Sequence, residues 1–189
     1  MNLWCRLLRL LLTLAWRKKV GVLEPSRLRM TVLPNDLDFN MHVNNGRYLT
    51  LADVGRIDFV FRTGVFRTAM TLRARPVVGD AIAKFRRDLK VFQRYNLETR
   101  LLGWDDKWIF IEQRFIRHGR VVGVVTVRCL WVNADGAMTA QLFVDTVHPQ
   151  LVSPPLPKWV KEWSRCCDDL STSLRIEEAQ TEAPLKAAA

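Results

Sequence analysis

From Pro76 onward the apolar residues recur with a period of two, and this long stretch leaves the chain few folds to choose from. "NLETRLLGW" sets Leu97, Thr99 and Leu101 against Glu98 and Arg100. "WIFIEQRFIR" and "RVVGVVTVRCLWVN" read as long strands joined by His118-Gly119, a hairpin turn pair. "VVGDAIAKFRRDLKVFQ" adds a strand after a Gly79-Asp80 turn, and residues 24–33 supply another, with Leu28, Met30 and Val32 on one face.

Ahead of these strands lies one segment with the helical period. From about Asn45 to Thr63, the residues Tyr48, Leu51, Ala52, Gly55 and Phe59 fall on one side. Arg47, Thr50, Asp53 and Arg56 line another side. Asn44 or Asn45 supplies the cap, and Gly64 a left-handed close. Ala52 and Gly55 are small, so a sheet can approach closely. One helix followed by long antiparallel strands is an α+β pattern, in which one sheet covers one helix. Nothing alternates strand, helix, strand, which disfavours a doubly wound nucleotide fold.

The ends of the chain read differently. "MNLWCRLLRLLLTLAWRKK" places Arg6, Arg9, Thr13 and Arg17 on one narrow polar stripe of a helix, with leucines filling much of the rest and Trp4 and Trp16 near its ends. Its longest uncharged run, 10–16, is far short of the ~20 residues a spanning helix needs. It reads as a helix lying in a membrane interface, its arginines toward anionic lipid. The alternative is a helix docked on the protein's own body or on a partner subunit. A signal peptide is disfavoured, because no small-residue cleavage site follows. "SPPLP" closes the sheet region, "KWVKEWSRCCDDLSTSLR" reads as a C-terminal helix, and "IEEAQTEAPLKAAA" as a mobile tail. The expected division is an amphipathic segment over 1–23, the α+β domain over 24–152, and the C-terminal helix and tail over 153–189. With 29 Lys and Arg against 19 Asp and Glu, the net charge of +10 favours anionic partners. The four cysteines, Cys5, Cys129, Cys166 and Cys167, form no CxxC pair, so a reducing compartment is expected. The expected location is cytoplasmic, with peripheral membrane contact through residues 1–19.

Between the first strand and the helix lies "NDLDFNMHVNNGRY". Asp36, Asp38, Asn40 and His42 fall at every second position. A calcium loop counted from Asp36 would need Gly and Glu where Met41 and Arg47 stand. His118 and His148 are isolated, so zinc is poorly supported. No GxSxG, P-loop or GxGxxG occurs, and "KFRRDLKVF" is not the aromatic RNA-recognition signature. What remains is a carboxylate beside a helix start, whose free N–H groups can receive an oxyanion. The plainer reading is a capped loop whose Asp and His only hydrogen-bond the backbone.

"DLDFNMHVNNGRY" resembles the hot-dog-fold thioesterases, above all the plant acyl-ACP thioesterases, in which a DxDxNxHVNNxxY run precedes the central helix. "FRRD" at 85–88 resembles their YRRE strand. "LPNDLDFNMHVNNGRYL", "FRRDLKVFQ" and "LLGWDDKWIFIEQRF" are similar to the thioesterase superfamily member 6 group. The resemblance spans about residues 24–150. It implies a single hot dog, one long helix wrapped by an antiparallel sheet and paired as a homodimer by sheet extension. It implies hydrolysis of an acyl-CoA or acyl-ACP thioester, with Asp38 as the catalytic carboxylate, Asn40 and His42 as companions and Asp88 as a second acid on its strand. Backbone N–H groups near Asn45 and Gly46 would receive the oxyanion, and Arg86 and Arg87 the phosphates of coenzyme A. It implies no metal and no cofactor. Asp36 reads as a loop-capping residue, whose change to Asn should be mild. A membrane-associated acyl-lipid-binding or scaffold protein that kept the fold and lost turnover is the alternative.

Overall fold

The computed structural model describes residues 2–187, so Met1 and the last two residues of the expected tail fall outside it. Residues 1–154 form one compact unit and residues 155–189 another. The second unit holds helix α5, Lys158–Ala187, which runs well past the helical stretch read from the sequence.

The first unit is built on one antiparallel sheet. Its strands are β1 (Ser26–Thr31), β2 (Arg75–Phe85), β3 (Arg94–Trp104), β4 (Ile109–Arg117), β5 (Arg120–Asn133) and the short β6 (Gly136–Ala137). Their order is β1-β3-β4-β5-β2, with β6 paired to β5. The β4–β5 hairpin closes with Arg117 opposite Arg120. His118 and Gly119 between them both have positive φ, +49° and +70°, as a turn matching strand twist requires.

Helix α2, Asn45–Arg62, lies against the inner face of this sheet. Tyr48, Leu51, Ala52, Gly55 and Phe59 are all buried, as their spacing predicts. Most of them pack in a core with Leu97, Phe115, Val125 and Val127, the inward residues of β3, β4 and β5. Gly55 is where helix and sheet come closest. A Cβ there would sit 2.7 Å from Thr99 Oγ1 and 2.9 Å from a Leu97 methyl. The sheet therefore curls round the helix, the hot-dog arrangement.

Three features depart from the sequence reading. Gly79-Asp80 is a bulge inside a continuous β2, not a turn before a strand. Gly79 lies under the Trp108 ring, where a Cβ would be 2.5 Å from Cη2, and Asp80 pairs with Arg128 at 2.6 Å. Two short helices are added. α3 (Val65–Thr71) starts at Gly64, whose φ is +83°, and α4 (Ala140–Val147) is capped by Thr139, which accepts the Leu142 N–H. Phe143 of α4 stacks on Trp131 at 4.3 Å.

The third departure is α1, Asn2–Thr13. It docks on the body, and with the opposite orientation to that expected of a lipid-bound helix. Arg6 pairs with Asp36 and donates to the Thr31 carbonyl. Arg17, just past the helix, pairs with Asp58 of α2 at 2.8 Å. Leu10 is buried between these ties. Two further bonds, Val20 N–H to the Arg62 carbonyl and Arg62 Nε to the Lys18 carbonyl, fasten the connector to the end of α2. Trp4, Leu8, Leu12 and Trp16 face outward, Trp4 at 74% and Trp16 at 84% exposure. Among the described residues no helix is long and apolar enough to cross a membrane.

Candidate active site

The polar stretch folds into a tight loop that ends at the start of α2. Leu37 and Val43 form an isolated bridge across it. The Asp38 N–H donates to the His42 carbonyl at 2.9 Å, and the Met41 N–H to the Asp38 carbonyl at 3.0 Å. Met41 takes φ +60° to close the turn. This brings the side chains of Asp38 and His42 to the same side, with Nδ1 of His42 3.4 Å from Oδ2 of Asp38. The other carboxylate oxygen, Oδ1, accepts the Asn40 N–H at 2.9 Å. One oxygen of Asp38 is thus fixed by backbone, while the other faces the imidazole. Both side chains are partly exposed, so water or a substrate can reach them. Asn40 itself is exposed.

The cap is Asn44, not Asn45. Its Oδ1 accepts the Gly46 N–H at 2.8 Å. Of the two amides expected to receive an oxyanion, that of Gly46 is therefore already used. Among the described residues the Asn45 N–H has no intramolecular acceptor. It sits at the positive end of the α2 dipole.

Asp36 holds this assembly to its surroundings. It is fully buried. Its carboxylate accepts the Leu33 N–H at 2.9 Å, Arg47 Nη2 at 2.9 Å and Nε at 3.2 Å, and Arg6 from α1. Its carbonyl accepts the Asn44 N–H at 2.8 Å. One residue therefore joins α1, the loop and the first turn of α2. Local loop capping accounts for only part of this. The sequence gives neither arginine as a partner of Asp36. Its only signal is the placing of Arg47 on the polar side of the first helical turn.

Asp88 does not lie on a strand. β2 ends at Phe85, and Arg86, Arg87 and Asp88 run through the connection to β3. The amides of Arg86 and Arg87 both reach the Val122 carbonyl, which turns the chain off the sheet. Leu89 then buries itself, its carbonyl accepts the Val43 N–H, and His42 bridges to Lys90. The connection thus brings Asp88 to the same end of the sheet as Asp38 and His42. No hydrogen bond or ion pair joins Asp88 to either among the described residues. Its charge is felt by Tyr48, whose hydroxyl is pushed up to about 12, first by burial and then by Asp88. Arg87 and Asp88 also share a polar hollow with Arg117, His118 and Arg120, basic groups that the motif pattern does not include.

A curled antiparallel sheet around one long helix defines the hot-dog class. Residues 32–164 match the family model described as Thioesterase-like superfamily. Protein THEM6 of Danio rerio is 41% identical over 148 residues, covering 77% of this chain and 72% of that protein. The chain belongs to the thioesterase-like superfamily, within the THEM6 group. Among solved structures, the YbaW probable thioesterase of Escherichia coli shares the fold, with a TM-score of 0.61 and 20% identity, over 67% of this chain and 98% of that one. The BH1999 gentisyl-coenzyme A thioesterase does so with a TM-score of 0.56 and 19% identity, over 63% of this chain and 98% of that one.

Proposed function

We propose that the protein hydrolyses acyl-CoA thioesters to the free acid and coenzyme A. The observation that carries this is the Asp38–His42 pair beside the unengaged Asn45 amide at the start of α2. In this reading the thioester carbonyl oxygen points at the Asn45 N–H, where negative charge develops as the carbon becomes tetrahedral. Asp38 takes a proton from water as the water oxygen bonds to that carbon. The C–S bond then breaks, and the thiolate leaves and takes up a proton. Asn40 and His42 position water or thioester, and Asp88 stands near as a second base. Arg86 and Arg87, together with the neighbouring Arg117 and Arg120, offer guanidinium groups to the phosphates of coenzyme A, which supports CoA over a carrier protein.

The same proposal includes a homodimer. β2 is an edge strand with Val77, Val78, Ile82 and Phe85 exposed, the kind of edge that proteins pair or cover.

Thiol release from a panel of acyl-CoAs and acyl carrier proteins tests the reading. Asp38→Asn keeps the size and the contact with the Asn40 amide but removes the base. kcat should fall by ~10² or more with little change in KM, the scale of general-base catalysis. Near-wild-type turnover in Asp38→Asn with a dead Asp88→Asn would move the chemistry to the β2–β3 connection. No thiol release by the wild type from any member of the panel would leave the non-catalytic lipid-binding alternative.

A further inference from the structure

The match to the family model begins at residue 32, so α1 and its connector are an addition to what that model describes. α1 lies over one side of an apolar cavity of about 670 Å³ bordered by α2 and the sheet. Leu3, Leu7 and Leu11 of α1 are on the cavity wall, and so is the buried Cys129 of β5.

The two ends of this N-terminal segment are held differently. Beyond α1, three ties converge on the last turns of α2. Arg17 pairs with Asp58 at 2.8 Å, the Lys18 carbonyl accepts Arg62 Nε at 2.7 Å, and the Val20 N–H donates to the Arg62 carbonyl at 3.2 Å. α1 stops at Thr13, and a single 3-10 turn, Leu14–Trp16, with no buried residue, joins it to these ties. Such a turn can change direction without emptying the core. Over α1 itself, among the described residues, Arg6 is the side chain that bonds to the body. Its Nη2 serves both Asp36 and the Thr31 carbonyl, while its Nη1 is buried with no acceptor. A buried donor without a partner is costly, and it regains water when the side chain leaves. Asp36 keeps both bonds from Arg47 once Arg6 is gone, so no bare charge is left in the interior. The attachment is therefore firm at residues 17–20 and releasable at Arg6.

We infer that α1 is a hinged lid on the cavity, with Arg6 as its clasp. It swings on residues 14–16 while 17–20 stay fastened to α2. It opens when Arg6 leaves Asp36 and the leucines lift from the wall, and an apolar chain then reaches the cavity from solvent. Asp36 also accepts the Leu33 and Asn44 N–H groups, so the state of the lid is felt at the loop carrying Asp38. The lid follows from packing and ion pairing, and it does not rest on the hydrolytic reading.

The test reads the Cys129 thiol in the full chain, with Cys5→Ser, Cys166→Ser and Cys167→Ser leaving it as the sole thiol. Methyl methanethiosulfonate is small and uncharged, so it can enter an apolar cavity, and mass spectrometry counts the adduct. In this parent protein slow labelling is expected well below the urea concentrations that unfold it. Its rate should depend little on urea, because lifting one helix exposes far less surface than unfolding does. Arg6→Met should raise the rate at least ~10-fold, the scale of one hydrogen bond to a charged group. Hydrogen exchange in that variant should quicken at the Leu10 amide and not at Val20. Labelling of the parent with the full urea dependence of unfolding would overturn the inference, with or without a folded variant. So would Arg6→Met labelled no faster than the parent, or exchange quickened equally at Leu10 and Val20.

Discussion

Replacing Asp36 with Asn is the sharpest test of how the loop carrying Asp38 and His42 is held. From the sequence it should be mild, since a loop-capping carboxylate has a near-equivalent amide. The structure gives a different answer. The carboxylate is fully buried and faces two guanidiniums and one backbone N–H. An amide keeps one acceptor but turns an NH₂ group, itself a donor, toward an arginine. Breaking a buried ion pair from one side costs ~3–5 kcal/mol. Arg6 and Arg47 retain 10% and 24% side-chain exposure and can recover some hydration, which points to the lower end. A loss of about 3 kcal/mol lowers the melting temperature of a domain this size by ~6–12 °C. Thermal melts followed by circular dichroism, with urea titration as a second measure, would read this directly. A cycle with Arg47→Met should show a coupling of ~1 kcal/mol or more, because the two residues touch. If Asp36→Asn melts within about 2 °C of the wild type, the junction is not holding the loop and the reasoning fails.

Other measurements probe other parts. Burial pushes the Cys129 thiol up to about 12, whereas Cys5 and Cys166 are exposed. Ellman's reagent should therefore label the exposed pair in the native protein and reach Cys129 only after unfolding. The Tyr48 hydroxyl is raised from 10 to about 12, so the folded state holds its proton longer than the unfolded chain. The resulting stabilisation is intact below pH 10 and is lost as pH rises toward 12. Urea midpoints should fall across that window in the wild type and less steeply in Tyr48→Phe. Liposome flotation should weaken with Trp4→Ser and Trp16→Ser, which lie on the outward face of α1, more than with Arg6→Gln.

What could be read in the sequence was whatever depends on near neighbours. The buried face of α2 follows from spacing alone, and so do β3, β4, β5 and the His118-Gly119 turn. The Asp38, Asn40 and His42 loop was legible through its likeness to a family. The failures involve partners far away along the chain. Gly79-Asp80 looks like a turn because nothing local shows that Trp108 covers Gly79 or that Arg128 reaches Asp80. α3 and α4 have seven and eight residues, too short for a helical period to stand out. Asp88 belongs to a strand by its motif, yet the Arg86 and Arg87 amides bond to Val122 and carry it off the sheet.

The orientation of α1 is decided by magnitudes. Its pattern in the sequence allows either face to meet the body. A basic side chain at an anionic bilayer surface gains roughly 1 kcal/mol. Taking Arg6 or Arg17 away strips a buried carboxylate of one of its two guanidiniums, Arg47 staying on Asp36 and Arg62 on Asp58, and costs ~1.5–3 kcal/mol, the scale of a hydrogen bond to a charged group. Asp36 and Asp58 are both fully buried, so the stronger attraction holds Arg6 and Arg17 inward. A bilayer does not reverse that balance. The face open to a bilayer would be the one that the ties leave outside, Trp4, Leu8, Leu12 and Trp16, with Lys18 and Lys19 exposed beside it. Membrane contact and docking on the body are then not rival fates for this helix. Lipid contact through that outer face would leave Arg6 on Asp36, and with it the loop carrying Asp38, undisturbed.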